Sequence, residues 1–261
     1  TFTFTQILCV LMENSKIVVI VPTFNEVNNL PVLAERIFAQ NIHDLDILFV
    51  DDNSPDGTAD YARQLSANYN DKIHVLDVPE KLGLSNAYKQ GFSWAISKKY
   101  DILVQMDADL SHNPNYIRHM IDKLSDYDVV VGSRYILKGS VSNKWSFSRR
   151  FISFLGNFGI RNILIINIRD ITSGFKAFKY QSARSINWDQ IYCTGFGFQA
   201  EITYQCYKFG YTIFETPIIF EDRLYGKSKM TLAILLETLL KIVAFKIFQS
   251  SRLKKPHISN P

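Results

Sequence analysis

The chain has 261 residues, 47% of them hydrophobic, enough to bury a sizeable core as one large domain. Its net charge of +4 conceals an asymmetry: residues 1–130 carry 10 basic and 18 acidic side chains, net −8, whereas residues 131–261 carry 19 and 7, net +12. An acidic half suits a cation and a basic half suits phosphates or an anionic membrane surface, with no nucleic acid expected as partner. Three cysteines, Cys9, Cys193 and Cys206, make no C-x-x-C or Cys/His pattern, which excludes a zinc ribbon or a disulfide framework and points to a reducing compartment.

Residues 1–11 read as an extension ahead of a natural start near Met12, since the apolar run Ile7–Met12 lacks a basic flank. Lys16–Thr23 is a β-branched strand. Leu30–Gln40 is a helix with Asn28 or Asn29 as cap and Pro31 in its first turn. A strand at Asp46–Val50, a helix at Thr58–Asn68 and a strand at Lys72–Val78 follow. The spacing of Ala87, Tyr88, Phe92 and Ala95 predicts a helix over Ser85–Lys99. Next come a buried strand, Asp101–Met106, a helix, Asn115–Leu124, and a strand, Asp128–Gly132.

This alternation predicts an α/β fold with a mainly parallel sheet covered on both faces, whose ligands sit at the carboxyl ends of the strands. Trp145–Ile168 is apolar and aromatic, with Arg149, Arg150 and Arg161. Phe196–Gly210 reads as a helix and Tyr211–Phe220 as a strand. Leu232–Phe248 is amphipathic, and too short and too charged for a confident membrane span; it suits either a core or a membrane surface. The expected division is an extension over 1–15, a main domain over 16–235 and an amphipathic helix with its tail over 236–261.

The chemistry concentrates at strand ends. Asp107-Ala108-Asp109 closes the fourth strand, and two carboxylates two residues apart can hold one hard divalent cation, Mg²⁺ or Mn²⁺. Asp51-Asp52-Asn53-Ser54-Pro55-Asp56-Gly57 closes the second strand, and Pro22-Thr23-Phe24-Asn25-Glu26 the first. Gly226-Lys227-Ser228 lacks the upstream glycine and the strand–loop–helix order of a P-loop. No G-x-G-x-x-G or G-x-S-x-G is present. His112 and His119 read as loop and helix-surface residues.

Taken together, Pro22–Glu26, Val50–Thr58 and Met106–His112 resemble the inverting glycosyltransferases of the GT-A fold, family 2. Gly132-Ser133-Arg134-Tyr135, Leu155-Gly156-Asn157, Asp170–Lys176 and Arg223–Lys229 are similar to the dolichol-phosphate mannose synthases within it. The resemblance spans about residues 16–235. Phe24 stands where a Tyr is frequent, which removes a hydroxyl near the base, and Ser85 where a Gly is common.

The resemblance implies a GT-A domain with a C-terminal helical membrane-surface elaboration. It implies transfer of mannose from GDP-mannose to dolichyl phosphate, with inversion, at the cytosolic face of the endoplasmic reticulum membrane. The product is the donor for N-glycan, GPI-anchor and O-mannose assembly. Small membrane subunits are possible partners in this family.

By the same resemblance Asp107 and Asp109 hold the metal against the diphosphate, with Ala108 between them in the substrate site. Arg134, Arg223 and Lys229 gather the acceptor phosphate. Pro22, Phe24, Glu26, Val50 and Asp52 face guanosine and ribose. Two alternatives stay open: a polyprenyl-phosphate glucosyltransferase using UDP-glucose, and a non-catalytic membrane-associated subunit of the same fold.

Overall fold

A computed structural model describes residues 15–142, 145–193, 195, 197–222, 232–249, 251 and 253. In chain order the elements are β1 (Ile17–Thr23), α1 (Leu30–Phe38), β2 (Leu45–Asp51), α2 (Thr58–Ser66), β3 (Ile73–Asp77), α3 (Leu84–Ser97), β4 (Ile102–Gln105) and α4 (Tyr116–Lys123). They continue with β5 (Val129–Ser133), β6 (Ser140–Val141), α5 (Phe147–Leu164), β7 (Lys176–Lys179), α6 (Tyr180–Arg184), α7 (Gly197–Lys208), β8 (Ile213–Pro217), β9 (Ile219–Phe220) and α8 (Leu232–Ala244). A single π-helical turn, Phe245–Gln249, extends α8.

The main sheet has the order β3-β2-β1-β4-β7-β5-β8. It is parallel except for β7, which runs antiparallel between β4 and β5. The expected mainly parallel sheet is therefore present, with one strand that periodicity does not reveal. The predicted strand over Tyr211–Phe220 is two: β8 in the main sheet and β9 paired with β6 in a small second sheet.

β1 and β2 are buried along their whole length, as near-continuous apolar strands covered on both faces should be. Odd-numbered residues such as Val19, Val21, Ile47 and Phe49 pack against α1, α2 and α4. Even-numbered residues such as Val18, Ile20, Leu48 and Val50 pack against α3 and α7. A third cluster joins Ile160 and Leu164 of α5, Ala200 and Tyr204 of α7, and Ile242 of α8 with the following Phe245. α7 thus lies between two cores, which explains why Gly197 to Cys206 is buried on every side. α8 runs unbroken across residue 235, so the expected division at that point falls inside one helix.

The chain order places the site. β1, β2 and β3 build outward on one side, and the chain then returns to set β4 on the other side of β1. The carboxyl ends of β1 and β4 meet at this reversal, where an α/β sheet leaves a crevice for a ligand.

Candidate active site

Three loops converge at the carboxyl edge. The loop after β1 and the loop after β2 are laced together. The Thr23 hydroxyl donates to Asp51 Oδ1 at 2.9 Å, the Asn25 amide to Ser54 Oγ at 3.0 Å, and the Glu26 amide to Thr58 Oγ1 at 3.1 Å. Asp51 also accepts from the Ser54 amide and hydroxyl at 2.8 and 2.6 Å. This carboxylate shapes its own turn, the usual work of an Asx residue after a strand.

Asp52 is buried, and its two oxygens accept from the Leu82 and Gly83 amides, both at 2.9 Å. Gly83 has φ +88°, a backbone that glycine adopts freely and that lets the chain enter α3 beside Asp52. The carboxylate expected to face the base thus holds the turn that starts α3. Glu26 is half-buried and accepts from Asn29 Nδ2 at 2.5 Å. Phe24 is half-buried, with the Lys81 ammonium 3.2 Å from its ring centroid, a cation–π stack at the loop surface. Pro22 is buried and pairs in register with Val50. Val50 departs from expectation: it is fully buried, and Gly91 of α3 packs on its side chain, so it has no surface to offer a nucleotide. The even-numbered face of β2 points into the core.

The loop after β4 carries the carboxylate pair. Asp109 Oδ1 accepts from the Ser111 amide at 3.1 Å and hydroxyl at 2.6 Å, around Leu110 at φ +62°. Ala108 is buried between the two carboxylates. Asp107 is the more open of the pair, its side chain 30% exposed. It accepts from the Tyr88 hydroxyl at 3.1 Å. Burial, then the Asp107 charge, hold the Tyr88 phenol well above its ordinary range, so it stays a donor.

His112 corrects the sequence reading. It is buried, not a surface loop residue: its ring stacks on Phe175 at 5.1 Å and meets Phe220 edge-on at 5.2 Å. Its Nδ1 accepts the Asp107 amide at 3.1 Å. Burial pushes the imidazole below its ordinary value despite the nearby Asp107 and Asp109, so it is neutral and carries its proton on Nε2. His119, by contrast, is exposed on α4 as expected.

Beyond Asp107 lies the segment Asp170–Lys176. A Cβ at Gly174 would sit 3.2 Å from Asp107 Oδ2 and 3.2 Å from His112 Cε1, so a side chain there would fill the space beside the carboxylate. Arg134, at the end of β5, sends Nε and Nη2 to the two oxygens of Asp170, both at 2.7 Å, and Nη2 also reaches Thr172 Oγ1 at 3.2 Å. Asp170 is fully buried, and this two-pronged pair keeps Arg134 charged and fixed in orientation. The resemblance has Arg134 gather a phosphate; Asp170 fixes its orientation and leaves Nη1 uncommitted among the described residues.

Lys176 is buried below these groups. Its Nζ donates to the Ser173 carbonyl and, at 2.7 Å, to Gln199 Oε1. Burial drives this amine down to about 7. Tyr88, Gly174, Asp170 and Lys176 therefore join the site; Asp170–Lys176 stands out in the sequence as a motif without assigned roles, and Tyr88 only as an apolar position of its helix. Arg223 and Lys229 lie outside the described residues. The root of their segment is tied to the carboxylate loop, for the Glu221 amide donates to the Ser111 carbonyl at 3.0 Å.

The donor set fits a hard divalent cation. Asp107 offers carboxylate oxygens beside Gly174, and Asp109 follows two residues on in the same loop. Among the described residues no cluster of three Asp, Glu, His or Cys groups encloses a metal. Two carboxylates make a half-built site, which leaves coordination positions to a substrate's oxygens, as suits Mg²⁺ or Mn²⁺.

Comparison with known proteins agrees with this geometry. The chain is 38% identical over 227 residues to the undecaprenyl-phosphate mannosyltransferase of Micrococcus luteus, covering 87% of this chain and 92% of that one. It is 36% identical over 232 residues to the polyprenol monophosphomannose synthase of Mycolicibacterium smegmatis, covering 88% and 86%. Among solved structures, mannosyl-3-phosphoglycerate synthase from Rubrobacter xylanophilus superposes with TM-score 0.66 at 16% identity, over 92% of this chain and 76% of that one. Mannosyltransferase PcManGT from Pyrobaculum calidifontis, in complex with GDP-Man and Mn²⁺, gives 0.62 at 18%, over 93% and 66%. Both likenesses speak to the GT-A fold alone. Residues 18–186 match glycosyl transferase family 2, and with these relatives the chain belongs to that family.

Proposed function

We propose that this glycosyltransferase moves mannose from GDP-mannose to a polyprenyl phosphate with inversion, and that dolichyl phosphate at the cytosolic face of the endoplasmic reticulum is its acceptor. The observation that carries the reading is the Asp107–Asp109 pair at the sheet's reversal point, beside a rigidly held arginine. The relatives named for mannosyl transfer to undecaprenyl and other polyprenyl phosphates support the sugar and the lipid class. The choice of dolichyl phosphate rests on the resemblance of Asp170–Lys176 and Arg223–Lys229.

In this reading Asp107 and Asp109 hold Mg²⁺ or Mn²⁺, which when bound neutralises the charge that builds on the departing diphosphate. The acceptor phosphate is already an anion at neutral pH and needs no strong general base. A His112 whose Nδ1 lone pair is taken by the Asp107 amide and an un-ionised Tyr88 agree with a site that supplies none. Tyr88 fixes Asp107 from one side and the His112 ring supports its backbone from the other. Arg134 presents a positive edge beside the acceptor path, and Arg223 and Lys229 complete the phosphate's surroundings. Glu26 and Phe24 line the nucleoside side, while Asp52 acts through the 82–83 turn.

The membrane belongs to the same proposal. Among the described residues no helix is long and apolar enough to cross a bilayer. α5 exposes Phe147, Phe151, Phe154 and Phe158, and α8 exposes Leu232, Leu236 and Leu240. Two neighbouring helices with bare aromatic and leucine faces suit the plane of a bilayer, or a small membrane subunit, where the acceptor's phosphate lies.

The test is radiolabelled transfer from GDP-mannose and from UDP-glucose to dolichyl and undecaprenyl phosphates, with and without chelator. Chelator-sensitive mannosylation of dolichyl phosphate is expected. Preferential transfer from UDP-glucose would replace the donor, and no turnover with any pair would favour the non-catalytic reading.

A further inference from the structure

A second basic feature stands apart from the carboxylate pair. A cavity of about 290 Å³ is lined by Tyr135, Phe154, Asn157, Phe158, Arg161 and Arg169. Phe154, Phe158, Arg161 and Ile165 follow one another at helical spacing, so Arg161 ends the exposed phenylalanine stripe of α5. Ile165 takes a left-handed backbone at φ +57°, which turns the chain back and brings Arg169 beside Arg161. The Arg169 amide is fixed on Glu215 Oε2 at 2.8 Å, and the neighbouring Asp170 amide takes Oε1 at 2.9 Å. That carboxylate is thus committed to backbone. Among the described residues no acidic side chain pairs with either guanidinium.

We propose that this cavity binds the phosphate headgroup of an anionic phospholipid, at a site separate from the acceptor phosphate. Two guanidiniums without an ion-pair partner among the described residues, over aromatic walls, suit a ligand with a phosphate at one end and hydrocarbon at the other. An inorganic anion would leave the aromatic lining unused. Asn157 walls the cavity off from Arg134: its Oδ1 accepts the Thr172 amide and hydroxyl at 3.2 and 3.0 Å, and Thr172 in turn holds Arg134. The cations of α8 and its π-helical turn are engaged elsewhere. Lys241 pairs with Glu237 at 2.7 Å, and Lys246 turns inward to the Leu164 carbonyl and the Tyr204 hydroxyl. Lys246 therefore points away from headgroups, and Arg161 and Arg169 are left to meet them. This inference rests on the proposed docking of α5 and α8 to a bilayer.

The experiment is co-sedimentation of the full chain with phosphatidylcholine vesicles, with and without a minority of phosphatidylglycerol. A cation near an anionic bilayer adds roughly fivefold in affinity, so Arg161→Gln with Arg169→Gln should lose roughly 10–30-fold on the mixed vesicles. It should leave binding to neutral vesicles, and turnover with a short water-soluble polyprenyl phosphate, unchanged. Arg161→Lys with Arg169→Lys should keep most of the preference, which separates charge from any fold defect. Lys98→Gln with Lys208→Gln, both exposed elsewhere, is the charge-matched comparison. Equal loss in that comparison, or an intact preference in the first variant, would overturn the site. A raised KM for the short acceptor in the first variant would make the cavity part of the acceptor site instead. Loss of the preference in phosphate buffer, but not in chloride of equal ionic strength, would make it a free-anion site. Wild-type protein that binds neither vesicle would remove the membrane reading itself, and this site with it.

Discussion

At the scale of single residues, the carboxylate pair and its supports divide into groups that meet ligand and groups that hold them. Asp109→Asn should lower turnover by about 10²–10³-fold, the usual cost of removing one preorganised charge contact. Asn retains an acceptor for the Ser111 amide and hydroxyl, so the melting temperature should hold. Turnover near wild type in a normally folded variant would remove Asp109 from the metal site. Arg134→Lys tests the pairing with Asp170. Lysine cannot reproduce two parallel bonds to a buried carboxylate, so both stability and turnover should fall, by about 3–5 kcal/mol in stability if the buried charge is left unpaired. An unchanged melting curve would mean that Asp170 does not depend on Arg134.

Lys176 makes a different prediction. Its amine sits at about 7 when folded against an ordinary value of 10.5, because burial penalises the charge. Between these values the unfolded chain binds a proton that the folded chain lacks. Stability from this group therefore rises with pH from about 7 to 10.5, and is lost as pH falls through that window. Between two buffers 1.5 pH units apart inside it, the wild type should gain about 2 kcal/mol relative to Lys176→Met, read as the difference in melting shifts. Parallel shifts in the two proteins would show Lys176 charged in its cavity.

At the scale of elements, the strands that the sequence made plain are those whose burial needs no partner to explain it. β1, β2, β4 and β5 are apolar runs between turn residues, and the carboxyl ends of β2 and β4 carry the acidic loops. β7 escaped because Lys176-Ala177-Phe178-Lys179 is a short apolar pair between two lysines with no period of two, and the buried Lys176 amine is satisfied by Gln199, 23 positions away. His112 escaped for a similar reason. A histidine three residues past an aspartate reads as solvent-facing until Phe175, just ahead of β7, and Phe220 of β9 pack on it. Val50 was assigned to the ligand by motif position, yet the alternation of its own strand turns it inward.

The pairing of α5 with α8 follows from two glycines, of which only Gly156 lies in a sequence motif. A Cβ at Gly156 would lie 2.9 Å from Leu235 Cδ1, and one at Gly159 3.0 Å from Leu239 Cδ2. Replacing both by Leu should push α8 away, at about 1–3 kcal/mol each for overpacking. Limited proteolysis checks it, since cleavage within α8 should become faster than in wild type. Unchanged cleavage and melting would mean that the helices slide to accommodate the added volume.

At the scale of the molecule, the acidic and basic halves acquire a spatial meaning. The acidic half supplies β1 to β4 and the carboxylate edge, whereas the basic half supplies α5 and α8 with their aromatic and leucine surface. The exposure of Phe147 (82%), Phe151 (52%), Leu236 (54%) and Leu240 (71%) is costly in water unless something covers it. Burying such half-exposed side chains in an interface is worth roughly 1 kcal/mol each. Changing all four to Ser should therefore weaken vesicle binding by roughly 10²–10³-fold, on neutral and anionic bilayers alike. That indifference to lipid charge separates the apolar face from the Arg161–Arg169 cavity. The four positions are exposed, so the fold should persist and turnover with a short soluble acceptor should survive, while turnover with vesicle-borne acceptor falls with binding. Because reversible contact is all that a surface helix pair provides, carbonate should strip the wild-type chain from membranes. Retention after carbonate by the chain alone, or vesicle binding that survives the four substitutions, would show that another part of the protein holds the bilayer.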